Sequence, residues 1–392
     1  MHYKFANISY IIIMNVILTR YLYFLDECFY SLLMAFLNKN RHGKPFEEVA
    51  FWVGEIFYSG FEKELWEYIW KFYYDFYAIK YPKYEKKINI LSKKVNCCEN
   101  KKFENIMYAI NLLYYSTISY DVFVSRMVDI DDAISLSIPK YIYKKTNVDY
   151  IKNMNISMNK NEIFFIRSIH DKKWQTIKYY ITKIGEERCY CLIKRYFEKT
   201  HKFIMKESNL NSINYKDKKH IIIALIHYMW SDENEIQQKR ILKRPNIKTI
   251  KNQFDFNKGI VSPLYNTLNS KRLFGISPLI GIFDLSRYKE NIDYKDILRL
   301  HWEYFAYKSP LWRERIDAFG GKPVSNELNF KSDEDFDGFY EQYNYEPDEQ
   351  PKDVQNMSIC EIDKELGISW LNNILNNSKY YWMSNKKLKT KY

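Results

Sequence analysis

The sequence predicts a mainly α-helical protein. It should open with an N-terminal helical bundle or hairpin array, continue in further helical hairpins for which a solenoid is one stacking, and end in an irregular acidic segment. Three observations predict this. Glycine (11) and proline (10) are scarce in 392 residues, against averages of about 7% and 5%, so tight turns are few and a many-stranded barrel or sandwich is disfavoured. Aromatic residues reach 18%, with 36 Tyr, 25 Phe and 9 Trp. Apolar residues recur at three- and four-residue steps over long stretches, the signature of amphipathic helices.

The first helix is expected over residues 22–37, where Leu22, Leu25, Phe29, Leu32, Leu33 and Phe36 share a face. Gly43 and Pro45 break the chain before a second helix over 46–58, with Glu47 and Glu48 in its first turn, where the helix dipole favours acids. Ser59–Gly60 separates this from a third helix over 61–80, ended or kinked by Pro82. The third helix carries Trp66, Tyr68, Trp70, Phe72, Tyr73, Tyr74, Phe76 and Tyr77. Because apolar residues wrap most of it, burial is the simpler reading, ahead of a protein interface or base stacking. Short loops between such helices make a bundle or the start of a solenoid. A helix over 103–115 follows, then an irregular connection over 116–140 and a linker over 140–160. Helical periodicity returns in apolar clusters at 163–169, 177–197 and 221–230, and again at 297–307 and 366–375; residues 258–278 read as loop. The expected domains are 1–145, 160–310 and 311–392.

Charge is uneven. The net of +12 is partly compositional, since Lys and Asn follow A/T-rich codons. Residues 327–365 hold thirteen acids against three lysines, whereas residues 367–392 hold five lysines and no acid. A basic body, an acidic segment and a basic tail result, and the acidic segment would fold back on the body or bind a basic partner. Residues 8–19 are apolar, but the run is short of the ~20 residues that span a bilayer and contains Asn15; no membrane span is expected. Met14 offers an alternative start, which would make the first 13 residues an upstream extension.

Chemistry-bearing motifs are few. The six cysteines form no C-x-x-C pair, which points to free thiols in a reducing compartment. Residues 333–338 (DEDFDG) match the opening of a calcium loop, but position twelve is Asn344 where a bidentate Glu is required; a solvated acidic turn is the better reading. His220 and His227 are seven apart, about 10 Å along a helix, too far to share a metal. No P-loop, G-x-S-x-G, H-E-x-x-H, kinase or Rossmann pattern occurs. No catalytic residue, metal site or cofactor is therefore assigned, and an enzyme of unfamiliar type stays a minor alternative. Residues 301–322 are dense in aromatic and basic groups. Trp302, Trp312, Arg313 and Arg315 are the candidate partner-binding residues, because interface hot spots are rich in Trp and Arg.

Two blocks, YLYFLDECFYSLLMAFLNKN with FEEVAFWVGEIFYSGFEKELWEYIWKFYYDFYAIKYPKYEKKI, and SPLWRERIDAFGG with FYEQYNYEPDEQP, resemble an uncharacterised protein family of giant nucleocytoplasmic large DNA viruses. They cover a quarter to a third of the chain. The resemblance implies a viral protein in a cytoplasmic factory of the host cell or in the virion. That family carries no assigned activity, so no functional residue is transferred. The expected function is a non-enzymatic helical scaffold or adaptor that binds protein partners. The alternative is a basic nucleic-acid-associated factor in viral replication, transcription or packaging, whose binding would fall steeply with salt.

Overall fold

A computed structural model describes residues 17–20, 22–37, 45–93, 98–127, 149–200, 218–231, 302–324 and 327–343. Of these, 74% are helical and only one two-stranded sheet occurs; the fold is mainly α. Contacts divide the chain into two units, one formed by residues 1–65 with 246–392 and the other by residues 66–245. Within unit one, Leu18, Leu22 and Phe24 share a core with side chains of residues 302–343, a pairing that no linear reading reveals. Residues 128–148, which hold the first part of the expected linker over 140–160, lie outside the described residues, as do the stretches at 258–278 and 366–375.

Unit one begins with a tight turn, not a helix. Thr19 N–H donates to the Tyr23 carbonyl at 2.8 Å, Leu18 and Phe24 form an antiparallel bridge, and Leu22 adopts φ +58°. A leucine in the left-handed region costs about 1–2 kcal/mol. It is held there because its side chain is buried in the unit's core. Helix α1 (Leu25–Leu37) therefore starts three residues later than its periodicity suggests. It packs on α2 (Pro45–Tyr58), burying Leu32, Phe36, Val49, Val53 and Ile56. Gly60 (φ +93°) closes α2 with Phe61 N–H bonded to the Ile56 carbonyl and Gly60 N–H to that of Phe57, the paired bonds of a Schellman end. Helix α3 (Glu62–Phe76) follows; it ends at Phe76, six residues before Pro82.

In unit two, α3 buries Trp70, Phe72, Tyr73, Tyr74 and Phe76, with Tyr77 just beyond its end also buried, while Trp66 and Tyr68 are half-buried. The aromatic stripe is mostly packing. Helices α4 (Tyr84–Ser92) and α5 (Glu99–Tyr114) pair. The expected irregular connection contains α6 (Asp121–Met127), too short for periodicity to show. After a single helical turn α7 (Asp149–Lys152), helices α8 (Lys160–His170), α9 (Trp174–Ile184), α10 (Glu186–Thr200) and α11 (Lys218–Trp230) pack in succession, and α11 also packs on α6. The apolar cluster at 177–197 is two helices, divided at Gly185 (φ +90°). Asn159 and Glu162 form a reciprocal capping box at the start of α8. Arg188 from α10 reaches Glu162 at 2.7 Å and holds that carboxyl below its usual range.

Unit one resumes with a helical turn at 302–306, then α12 (Pro310–Ala318), strands β1 (Lys322–Val324) and β2 (Glu327–Asn329), and α13 (Asp333–Tyr343). The strands are antiparallel, with Lys322 opposite Asn329 and Val324 opposite Glu327. Residues 311–324 and 327–343 are thus folded, where the sequence suggested an irregular segment; residues 344–392 lie outside the described residues. No helix among the described residues is long and apolar enough to cross a membrane. Of the apolar stretch at 8–19, residues 8–16 fall outside them.

Candidate functional site

Helix α12 begins at Ser309, whose hydroxyl accepts from Trp312 N–H at 3.2 Å, and Pro310 occupies the first turn, where its missing N–H costs nothing. One turn apart, Trp312 and Ile316 point inward and are fully buried. Trp312 meets Trp302 edge-to-face at 5.2 Å, and its indole N–H donates to the Thr19 carbonyl at 3.0 Å. A core of Leu18, Leu22, Phe24, Trp302, Phe305, Trp312, Ile316, Phe339 and Tyr343 results, built from segments nearly 300 residues apart in sequence.

This corrects the candidate partner-binding set. Trp302 and Trp312 have 1% and 0% of their surface exposed, so neither can present a ring to a partner; the signal that made them conspicuous was core packing. Arg315 lies over the rings of Trp312 and Tyr343, each at 5.0 Å, and is half-buried. Arg313 alone of the four is exposed, resting its guanidinium 5.6 Å above Tyr307. Tyr307 and Lys322 both donate to Asp317, at 2.9 and 3.0 Å, and hold that carboxyl below its usual range.

Beside this core lies a buried polar cluster. Arg20 Nη2 is 3.3 Å from Glu55 Oε2, with both side chains almost wholly buried. Thr19 Oγ1 donates to Glu55 Oε1 at 2.8 Å, and the backbone N–H of Arg20 donates to Ser59 Oγ at 2.6 Å. Buried ions need partners, because desolvation costs several kcal/mol per charge; the cluster ties the first turn to α2. Burial, with Glu55 nearby, pushes the Cys28 thiol well up, which makes it an inert structural cysteine.

In unit two, Arg126 donates to both oxygens of Asp75, at 3.2 and 2.9 Å, and His220 Nε2 lies 3.5 Å from Asp75 Oδ1. His227 Nε2 sits 2.7 Å from Ser125 Oγ, with its ring 5.2 Å from both Trp174 and Trp230. The two histidines serve α11 by joining it to α3 and α6. A serine beside a histidine invites a nucleophile reading, but a nucleophile needs access to substrate and a base oriented by a third group. Ser125 is buried within a helix, and the acid of this region, Asp75, is taken by Arg126. Sequence reasoning had no means to find the pairing, since 102 residues separate Ser125 from His227. Among the described residues no group of three or more His, Cys, Asp or Glu could hold a metal ion.

The calcium-like run is the start of a helix. Ser332 Oγ accepts from Asp335 N–H at 3.2 Å and donates to its carboxylate at 2.9 Å, an N-cap that places Asp333, Asp335 and Asp337 on α13 instead of around an ion. Gly338 has a different use from the sharp turn of a calcium loop: a Cβ there would lie 3.2 Å from the Phe319 ring, so its absence lets α13 approach α12. The outer face of α13 carries Asp333, Glu334, Phe336, Asp337 and Glu341, all exposed. Phe336 is 46% exposed, 4.7 Å from Tyr340 and 5.6 Å from Phe330. Sequence reasoning passed over Phe336; its signal was an apolar side chain one helical step outside the buried face set by Phe339 and Tyr343. No protein-family model matches the chain, and no curated protein or solved structure shows significant similarity to it.

Proposed function

We propose that the chain is a non-enzymatic helical scaffold or adaptor of a large DNA virus, acting on protein partners in the host-cell cytoplasm, within a viral factory, or in the virion. One observation carries the reading. Among the described residues the exposed large hydrophobics are Ile90, Tyr115, Val324 and Phe336, and two of these four fall within the short stretch 322–343, on a module whose core is otherwise closed. Apolar groups that adjoin at the surface and are rimmed by charge mark interaction surfaces, and Phe336 adjoins the half-exposed Tyr340 at 4.7 Å. The buried ion pairs serve the packing: Arg20–Glu55 ties the first turn to α2, and Arg126–Asp75 ties α6 to α3. The viral setting rests on the sequence resemblance alone.

Affinity capture of the tagged full chain from infected cells tests it. The expected result is a protein recovered in near-stoichiometric amount after nuclease treatment and at raised salt. Recovery that disappears with nuclease, or with moderate salt, would replace the scaffold by the nucleic-acid-associated factor that the net charge of +12 favours.

A further inference from the structure

We propose that the outer face of α13 is a docking surface for a basic segment of a partner protein, received by Phe336 and Tyr340 and by the carboxylates of Asp333, Asp337 and Glu341. The proposal rests on the scaffold reading and specifies the partner's chemistry. At 100° per residue, Phe339 and Tyr343 define the buried face of α13. Phe336 and Tyr340, one turn apart, form the shoulder beside it. Asp333, Asp337 and Glu341, at four-residue steps, form the next row outward. One turn of aromatic faces therefore runs beside two turns of carboxylates.

Asp333 stands in the first turn, where the dipole favours it, but its neighbours along the row are unfavourable to the helix. Like charges four apart repel by roughly 0.2–0.5 kcal/mol per pair, and Glu341 stands near the C-terminal end, where the dipole disfavours an acid. The N-cap does not require these groups, since Ser332 bonds Asp335 instead. Nor does any cation of the described residues pair with Asp333, Asp337 or Glu341, although Lys322 and Arg188 elsewhere each hold an acid. A helical partner with Lys or Arg at one-turn spacing beside apolar residues relieves all three acids at once and covers Phe336. Its cations also gain from the faces of Phe336 and Tyr340. The same row repels phosphate backbones, so a protein segment is the occupant.

The test uses the full chain and a fluorescent 14-residue amphipathic peptide of Leu and Lys, with a peptide of the same composition but scrambled periodicity as control. The wild type should bind the amphipathic peptide, and bind the scrambled one at least about tenfold more weakly. Asp337→Lys with Glu341→Lys, and separately Phe336→Ser, should each weaken binding at least about tenfold, whereas Glu64→Lys on α3 should not. All replaced side chains are exposed, so far-ultraviolet circular dichroism should stay unchanged, and the lysine pair, which removes like-charge repulsion on α13, should not lower the melting temperature. Equal binding of both peptides, or undiminished binding by the α13 variants, overturns the site. Self-association of the wild type that Phe336→Ser abolishes also overturns it, in favour of a second copy. Capture from cells separates the two readings: a partner retained by the α13 variants leaves the scaffold standing with its surface elsewhere.

Discussion

Glu85 on α4 is buried, and its Oε1 has no hydrogen-bond partner. Burial pushes its pKa to about 8 from an ordinary 4.5, with the Tyr74 hydroxyl opposing the shift only in part. The carboxyl is therefore neutral in the folded protein near pH 7 and ionised in the unfolded chain. Above about pH 4.5 the unfolded chain has released a proton that the folded protein keeps until about pH 8. Stability then falls with rising pH, by at most about 1.4 kcal/mol per pH unit. From about pH 5 to about pH 7.5 the loss comes to about 3 kcal/mol. Glu85→Gln keeps the shape and removes the titration. Urea unfolding of both proteins across pH 5–9, followed by tryptophan fluorescence and far-ultraviolet circular dichroism, reads the difference directly. The variant should match the wild type near pH 5 and exceed it progressively up to about pH 8, beyond which the gap stays constant. Parallel curves, or a wild type that gains on the variant as pH rises, would refute the assignment of Glu85 as a buried neutral acid.

Three substitutions probe other parts of the fold by thermal and denaturant melting. Glu55→Gln removes the carboxylate charge 3.3 Å from the buried Arg20 guanidinium and should destabilise unit one, by about 3 kcal/mol at most. Gly60→Ala forces a side chain into φ +93° and sets a Cβ 2.6 Å from the Pro310 Cβ, for an expected loss of about 2 kcal/mol. Asn159→Ala removes the capping box of α8 and should cost about 1 kcal/mol.

Helix existence was legible where periodicity was long. Expected helices over 46–58 and 103–115 correspond to α2 and α5, because runs of apolar residues at helical steps leave few alternatives. Boundaries failed where local backbone chemistry overrode the period. Leu22 fits the apolar face of α1 by spacing, yet it sits in a left-handed turn whose partners are backbone groups. The DEDFDG run shares its alternate acids with a cation loop and reads as a solvated acidic turn, but Ser332 just before it makes a helix cap, which spacing of acids alone does not reveal. Trp302 and Trp312 show the general difficulty. A tryptophan is conspicuous in sequence whether it faces a partner or its own core, and what decides is contact with Thr19 and Phe24 at the far end of the chain. Phe336 is the converse, unremarkable in composition and exposed in space.

Hydrogen–deuterium exchange of the full chain, alone and with the amphipathic Leu/Lys peptide, tests most directly whether the protein works through a protein-binding surface on α13. Slowed exchange confined to residues 333–343 and the adjoining 327–331 is the expected result. Protection absent there and present instead around the lysines at 172–173 and 183, and brought about by a DNA oligonucleotide but not by the peptide, would contradict it.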